Sequence, residues 1–270
     1  MIRLTTAEIA LSVQGQLHGA DIGIESVSTD SRAITAGDLF IALKGPNFDG
    51  HQFAADVISK GAAALVVEQL LDVAVPQILV KDCRLALGAL GAAVRQKVNP
   101  KTVAVTGSVG KTTVKEMMAA ILGNIGHVLA TAGNFNNDIG APLTLLRLTA
   151  QHTHAVMELG ANHLGEIAYT AGLSQPAVSV ITNVGAAHLE GFGDLFGVAR
   201  AKGEIYGALP AGGTAVVPLD SEFAEYWLKR LGDKKVLTFS ATQQADFYAE
   251  NIVLNEQGCA GFDLVCPQGR

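Results

Sequence analysis

The fold of this chain follows from the stretch Thr106-Gly107-Ser108-Val109-Gly110-Lys111-Thr112-Thr113. The β-branched run that leads into it, residues 102–106, predicts a short buried strand, and residues 114–122 have the composition of a helix. A strand, a glycine turn and a helix N-terminus form an anion site, because backbone N–H groups and the helix dipole both favour bound phosphate. The stretch therefore predicts a loop that binds the phosphates of a nucleotide.

The residue types in this loop suit phosphate binding. Its two glycines permit positive φ angles and a close approach of the backbone to a ligand. Lys111 is expected to reach the terminal phosphates, and Thr112 to place its hydroxyl on a magnesium ion. The expected nucleotide contacts are Gly107, Ser108, Val109, Gly110, Lys111, Thr112 and Thr113. Two residues separate the glycines, whereas the full Walker A motif has four, so this is a shortened variant. An ordinary glycine turn followed by a surface lysine is the alternative.

Composition places the chain among globular proteins. Its 270 residues suggest one large domain or two ordinary ones, and 49% hydrophobic against 16% charged residues provides for a sizeable core. The net charge of −6 and the lack of a basic run argue against nucleic acid as a partner. Three cysteines without metal-ligand spacing indicate a reducing compartment, and neither a signal peptide nor a membrane span is evident. We therefore expect a cytoplasmic protein and a monomer.

The order of predicted elements indicates the α/β class with two domains. Residues 1–81 predict a small α/β domain, with an irregular, turn-rich segment over 15–32. Residues 82–270 begin with a helix over 83–97 and then alternate strands and helices, which is typical of a mainly parallel sheet covered on both faces. Residues 246–266 have the pattern of an antiparallel hairpin.

Polar residues follow the predicted strands of the second domain, where ligands of open α/β sheets bind. Glu158 closes the strand 154–158, and a carboxylate there suits magnesium, with a loop or capping carboxylate as the alternative. His188 follows the strand 177–182, but an isolated loop histidine is more often structural. Lys202 lies in a predicted helix, and its surroundings in the sequence suggest no more than a solvated lysine.

Two further polar segments are candidates for ligand contact. The loop 133–140 carries three asparagines, among them Asn137, which offer donors and acceptors to phosphate or metal-bound water. A turn before a capped helix is the alternative there. In the first domain, residues 28–32 set Arg32 beside hydroxyl groups, which suits a diphosphate or carboxylate, and a surface turn is the alternative.

Together these motifs resemble those of the Mur ligases, the ATP-dependent amide-forming enzymes of peptidoglycan synthesis. The similarity runs along essentially the whole chain. It is carried by the segments Thr106–Thr113, Gly133–Gly140, Met157–His163, Ala186–Gly193 and Ala201–Ile205. The resemblance implies a UDP-muramoyl-peptide-binding domain over residues 1–81, followed by an ATP-binding central domain of the P-loop ATPase-like type.

The resemblance also implies the chemistry. The γ-phosphoryl group of ATP would pass to the terminal carboxylate of UDP-N-acetylmuramoyl-tripeptide, and the amine of D-alanyl-D-alanine would attack the acyl phosphate. The implied catalytic residues are Lys111, Asn137, His188 and Lys202. Two magnesium ions (Mg2+) are implied, the first at Thr112 and Glu158 and the second at His188 and a carbamylated Lys202. The implied contacts to the UDP portion are Ser31, Arg32, Lys44, Asp49 and His51.

Alternatives exist within and outside the family. The segments Ser28–Arg32 and Gly37–Leu43 are also similar to the member that acts one step earlier and adds the third amino acid, whereas the central motifs favour the later member. A phosphotransferase or ATPase, and a UDP-sugar-binding module with an inactive nucleotide site, are the other hypotheses. Because nothing in the sequence matches the family's third, C-terminal domain, we expect a fragment that binds the UDP substrate, binds ATP weakly and ligates little by itself.

Overall fold

A computed structural model describes residues 1–186 and 189–269. Its contacts divide the chain into two units. The first contains Met1–Pro100 and Ala132–Thr153, and the second contains Lys101–Thr131 and the chain from His154 onward. Each unit is built around a sheet of its own.

Helices and strands alternate along both units. The helices are α1 (Thr6–Ser12), α2 (Ala54–Ser59), α3 (Cys83–Val98), α4 (Lys111–Leu122), α5 (Gly140–Leu145), α6 (Glu166–Ser174), α7 (Leu189–Phe192), α8 (Leu195–Gly207) and α9 (Ala224–Leu228). The strands are β1 (Leu4–Thr5), β2 (Gln16–His18), β3 (Gly23–Ile24), β4 (Val27–Ser28), β5 (Leu39–Ile41), β6 (Lys44–Gly45), β7 (Phe48–Asp49), β8 (Ala64–Val67), β9 (Gln77–Leu79), β10 (Lys101–Thr106), β11 (Val128–Ala130), β12 (His154–Glu158), β13 (Val178–Ile181), β14 (Thr214–Pro218), β15 (Lys235–Ser240), β16 (Phe247–Leu254) and β17 (Ala260–Val265). The predicted α/β class is confirmed. Among the helices that the structure describes, none has both the length and the apolar composition needed to cross a bilayer.

The first unit is organised on a five-stranded sheet with the order β2-β9-β8-β5-β4. Strands β4, β5, β8 and β9 run parallel, and β2 pairs antiparallel with β9. The central strands β5 and β8 are buried along their whole length, as their continuous apolar sequence requires. Phe40 and Leu65 form a core cluster with Val57 of α2.

Helix α3 packs against α5 within the first unit. A Cβ atom at Gly91 of α3 would lie only 3.1 Å from Cα of Pro142 in α5, so this glycine permits the close approach of the two helices. The packing differs from the expected boundary after residue 81, which placed this helix in the second domain. The functional roles expected for the two domains stay predictions.

The segment 15–32 also differs from the sequence analysis, which expected irregular chain there. It contains the short strands β2, β3 and β4. Because each strand has only two or three residues, the turn signals around them conceal the pattern.

The second unit has an eight-stranded sheet with the order β11-β12-β10-β13-β14-β15-β16-β17. Its strands are parallel apart from the antiparallel pair β16–β17, so the predicted parallel sheet with a final hairpin is confirmed. Strand β10 lies between β12 and β13, with Val105 opposite Glu158 and Thr106 opposite Ile181. The carboxyl ends of these three strands therefore meet at one edge of the sheet, where the glycine loop begins.

Trp227 fixes the rotation of helix α8 about its own axis. The indole N–H of this buried side chain donates to the carbonyl of Ala199 at 3.0 Å. Gly203 makes room for the ring, since a Cβ atom there would lie 2.8 Å from it. In this orientation of α8 the side chain of Lys202 is buried.

Candidate functional site

The glycine-rich loop joins β10 to α4, as the sequence predicts. Gly107 and Gly110 have positive φ angles of 155° and 80°, and a side chain at position 107 would overlap the Thr182 hydroxyl. Helix α4 begins at Lys111, earlier than the predicted start at Val114. The amides of its first turn have no acceptor within the helix, and the helix dipole adds to their positive potential. This helix end is the part of the loop best suited to an anion.

The loop is braced by the chain that follows β13. The Asn183 carboxamide accepts from the Val109 N–H at 3.0 Å and donates to the Val109 carbonyl at 3.0 Å. Thr182 Oγ1 donates to the same carbonyl at 2.7 Å. Ser108 Oγ accepts from the Gly185 N–H at 2.9 Å, and the Ser108 N–H donates to the Asn183 carbonyl at 3.1 Å. Because the amides of Ser108 and Val109 are engaged in this way, the first turn of α4 is left for a phosphate.

Sequence reasoning missed this brace. It gave no role to Thr182, Asn183 or Gly185. The one available signal was their position after β13, which runs parallel to β10. The brace gives a physical reason why a loop with two residues between its glycines keeps its shape.

Lys111 turns back over the loop. Its Nζ donates to the Gly107 carbonyl at 2.9 Å and lies 3.4 Å from the Ser108 carbonyl. The flexible side chain can exchange these carbonyl oxygens for phosphate oxygens without backbone movement.

The structure brings Thr112 and Glu158 together. Thr112 Oγ1 donates to Glu158 Oε2 at 2.8 Å. Glu158 is buried at the end of β12, whereas Thr112 lies at the exposed start of α4. A hydroxyl and a carboxylate are hard oxygen ligands of the kind that magnesium prefers, so this pair fits that ion.

Lys202 is not the solvated lysine that its sequence surroundings suggest. It is 3% exposed, because α8 packs it into the second unit. Burial lowers the pKa of its ammonium group to about 8, and the positive charge of Lys111 acts in the same direction. The charges of Lys202 and Lys111 are therefore close enough to influence each other.

The other two predicted catalytic residues are His188 and Asn137. His188 lies outside the described residues. Asn137 belongs to the first unit, where its Oδ1 accepts from the N–H of Gly140, the first residue of α5, at 2.8 Å. This contact is local to the turn before α5, and a role of Asn137 in catalysis stays a prediction. Within residues 1–186 and 189–269, no group of three or more His, Cys, Asp or Glu side chains is placed to hold a metal ion.

In the first unit, the predicted substrate residues Lys44, Asp49 and His51 form one cluster, to which Glu68 also belongs. Lys44 Nζ lies 3.1 Å from Glu68 Oε2 and 3.9 Å from Asp49 Oδ2. The hydrogen bond with Glu68 raises the pKa of Lys44. Glu68 directly follows β8, and sequence reasoning missed it because its position was the only signal.

His51 is enclosed by this cluster. Its Nε2 accepts the backbone N–H of Glu68 at 2.8 Å, so its Nδ1 carries the proton and donates to Asp49 Oδ1 at 2.6 Å. Both ring nitrogens are thus engaged, and His51 orients its neighbours. Of the three predicted residues in this cluster, Lys44 and Asp49 retain exposed surface.

Ser31 and Arg32 form a separate group. Arg32 donates through Nε and Nη2 to the two carboxylate oxygens of Asp30 at 2.9 and 2.7 Å, and this fork lowers the pKa of Asp30 to about 2. The Ser31 carbonyl accepts from Lys60 Nζ at 2.9 Å. An incoming anion would compete with Asp30 for the exposed guanidinium. These contacts are those of a surface turn, and a role in ligand binding stays a prediction.

Two family models match the sequence. The model described as Mur ligase middle domain matches residues 105–269. The model described as Mur ligase family, catalytic domain, matches residues 23–124.

Two curated relatives carry the same name. The UDP-N-acetylmuramoyl-tripeptide–D-alanyl-D-alanine ligase of Escherichia coli (strain K12) is 50% identical over 270 residues, which make up 100% of this chain and 60% of the relative. The ligase of the same name from Bacillus subtilis (strain 168) is 36% identical over 268 residues, 96% of this chain and 57% of the relative. The chain thus spans less than two thirds of the length of these relatives.

Solved structures share the fold. The crystal structure of MurF from Acinetobacter baumannii superposes with a TM-score of 0.94 at 42% identity, covering 99% of this chain and 59% of that one. The MurF ligase of Thermotoga maritima in complex with ADP gives a TM-score of 0.79 at 29% identity, covering 89% of this chain and 56% of that one.

Proposed function

The chain belongs to the Mur ligase family, and from this premise we propose that it carries the nucleotide site and the UDP-substrate site of an ATP-dependent ligase. The ligase joins D-alanyl-D-alanine to UDP-N-acetylmuramoyl-tripeptide in the synthesis of peptidoglycan precursors, in the cytoplasm and as a monomer. The contact between Thr112 and Glu158 at 2.8 Å, next to the phosphate loop, is the observation that carries the proposal. The shared name of the curated relatives supports the choice of substrates.

The first task of the site is to bring two anions together, a nucleotide triphosphate and a carboxylate. Cationic and N–H groups have to offset their repulsion. The first-turn amides of α4 hold the phosphates, and Lys111 Nζ moves from the Gly107 carbonyl to the phosphate oxygens. The brace formed by Asn183 keeps the loop open for the ligand.

Thr112 and Glu158 hold the first magnesium ion, through a hydroxyl and a carboxylate oxygen. His188 and Lys202 hold the second. When bound, the ions neutralise negative charge on the phosphoryl group. For Lys202 to serve as a ligand, its neutral amine adds to carbon dioxide, forms an N–C bond and releases a proton, which turns a cation into an anion. The lowered pKa of Lys202 supports this step, because the neutral amine is the reacting form.

The UDP substrate binds in the first unit, at Lys44 and Asp49, with His51 orienting Asp49. Ser31 and Arg32 contact its diphosphate. The γ-phosphoryl group passes to the substrate carboxylate, the amine attacks the acyl phosphate, and inorganic phosphate leaves as the amide forms.

A binding measurement tests the substrate. We expect UDP-N-acetylmuramoyl-tripeptide to bind more tightly than the corresponding dipeptide, in isothermal titration calorimetry with this chain. Lys44→Ala should weaken that binding. Lys97→Ala is a matched control, because Lys97 is as exposed as Lys44 and also forms an ion pair, with Glu8, in the same unit. A preference for the dipeptide would overturn the proposal in favour of the ligase that acts one step earlier.

A turnover measurement tests the reaction. ATP, Mg2+ and the tripeptide substrate are mixed with the chain, with and without D-alanyl-D-alanine. Release of inorganic phosphate that requires the amine supports a ligase. Phosphate retained on the acceptor indicates a phosphotransferase, and release independent of the amine indicates an ATPase. Binding of UDP substrate with no effect of ATP, in both the wild type and Lys111→Ala, indicates an inactive nucleotide site.

A further inference from the structure

Lys115 is a buried charge that the proposed reaction does not use. It lies on α4 one turn after Thr112, and its side chain is 1% exposed. Its Nζ donates to the Thr131 carbonyl at 2.7 Å and pairs with Glu116 Oε1 at 2.7 Å. Burying an ammonium group costs several kcal/mol unless it is paired and hydrogen-bonded, so these contacts are required for the fold of this region.

Thr131 links this lysine to Glu158. Strand β11 ends at Ala130, which is opposite Val156, whereas β12 continues to Glu158. Glu158 therefore lies beyond the last paired residue of β11. Thr131 Oγ1 accepts this N–H at 3.0 Å, and the Thr131 N–H donates to the Val156 carbonyl at 3.1 Å. The Thr131 hydroxyl thus supplies the acceptor for the Glu158 N–H at the point where β11 has ended.

Glu158 is consequently held at both ends. Its backbone N–H bonds Thr131, and its carboxylate accepts from Thr112. Thr112 and Lys115 are three residues apart on α4, so they lie on one face of the helix and both reach toward the ends of β11 and β12. The contacts Lys115–Thr131–Glu158–Thr112 connect two points on α4 through buried groups.

We infer that Lys115 and Thr131 are positioning residues, which fix the Glu158 carboxylate in the orientation that receives magnesium. The inference rests on the proposed function, because it takes Thr112 and Glu158 as the ligands of the ion. Both residues act through Glu158, which Thr131 contacts directly and Lys115 through Thr131. Removing a residue that hydrogen-bonds to a metal ligand typically weakens metal affinity about 10- to 100-fold.

The test uses the Mg2+ dependence of ADP binding to this chain. The ADP dissociation constant is measured by calorimetry in Mg2+ and in EDTA, and their ratio gives the enhancement by the metal. Thr131→Val keeps the shape and removes the acceptor for the Glu158 N–H, so the enhancement should fall about tenfold or more. ADP affinity in EDTA should stay within about twofold. Thr131→Ser keeps the hydroxyl and should retain the enhancement.

Two further variants separate positioning from stability. Thr170→Val removes a buried hydroxyl that bonds the Glu166 carbonyl at 3.0 Å in α6. It should lower the melting temperature but not the enhancement. Lys115→Met removes the donor to the Thr131 carbonyl and should lower the enhancement even if Thr131→Val does not fold.

The outcomes are distinguishable. If the wild type shows no enhancement by Mg2+, the proposed magnesium site is wrong and the inference is overturned with it. If the wild type shows the enhancement and folded Thr131→Val or Lys115→Met retains it in full, the inference alone is overturned.

Discussion

Replacing Asn183 by alanine should weaken nucleotide binding without unfolding the second unit. The carboxamide bonds both the N–H and the carbonyl of Val109, at 3.0 Å each. Alanine removes both hydrogen bonds, whereas Thr182 keeps its own bond to the Val109 carbonyl. The loop then samples other conformations, of which only some present the first turn of α4 to a phosphate.

The structure sets the size of the effect. A hydrogen bond between neutral groups contributes about 0.5–1.5 kcal/mol, so the two bonds of Asn183 together contribute roughly 1–3 kcal/mol to the order of the loop. If the nucleotide binds only the ordered loop, the favourable free energy of nucleotide binding becomes smaller by this amount. The dissociation constant of ADP should then rise roughly 5- to 150-fold.

Isothermal titration calorimetry with ADP and Mg2+ measures this change directly. Asn124→Ala is the matched control, because the Asn124 carboxamide donates to the carbonyls of Ala120 and Ile121 at the far end of α4. It removes two hydrogen bonds from the same unit and should leave the affinity unchanged. An affinity of Asn183→Ala within about twofold of the wild type would refute the reasoning that the brace orders the loop.

Two other predictions concern a glycine and a thiol. Gly107→Ala should lower ADP affinity more than Asn183→Ala does, because a Cβ atom there overlaps the Thr182 hydroxyl and displaces the loop; an unchanged affinity in the same titration would contradict this. Burial raises the pKa of the Cys83 thiol from 9.0 to about 12, so at pH 8 an alkylating reagent should modify the exposed Cys259 and spare Cys83 until urea unfolds the chain. Equal labelling of both cysteines in native protein, read by peptide mass spectrometry, would contradict the burial. Because the thiol ionises at lower pH in the unfolded state than in the folded state, the contribution of Cys83 to the free energy of unfolding should fall as the pH rises through 9.0 toward about 12.

The longer strands and helices of the second unit could be predicted from the sequence, because they are apolar runs or have a clear apolar period. The strand 154–158, for example, has the predicted bounds. The first unit was harder to predict. Its short strands over 15–32 have too few residues for a period, and the place of α3 depends on its packing against α5, which is a tertiary contact.

The candidate site could be predicted in part. The sequence placed Lys111 and Thr112 at a glycine loop and Glu158 at the end of a strand, and the structure has them there. It could not identify residues whose role depends on three-dimensional contact. Thr131 is such a residue, since its hydroxyl matters only because β11 ends before β12 does. The burial of Lys202 is another, because it follows from how α8 packs.

The most direct test of the central claim is a crystal structure of this chain with ADP and Mg2+. The account predicts the β-phosphate on the amides of residues 111–113. It also predicts the ion about 2.1 Å from Thr112 Oγ1, with Glu158 as a ligand directly or through one water. A nucleotide bound away from the loop, or an ion distant from both side chains while their 2.8 Å hydrogen bond persists, would contradict it.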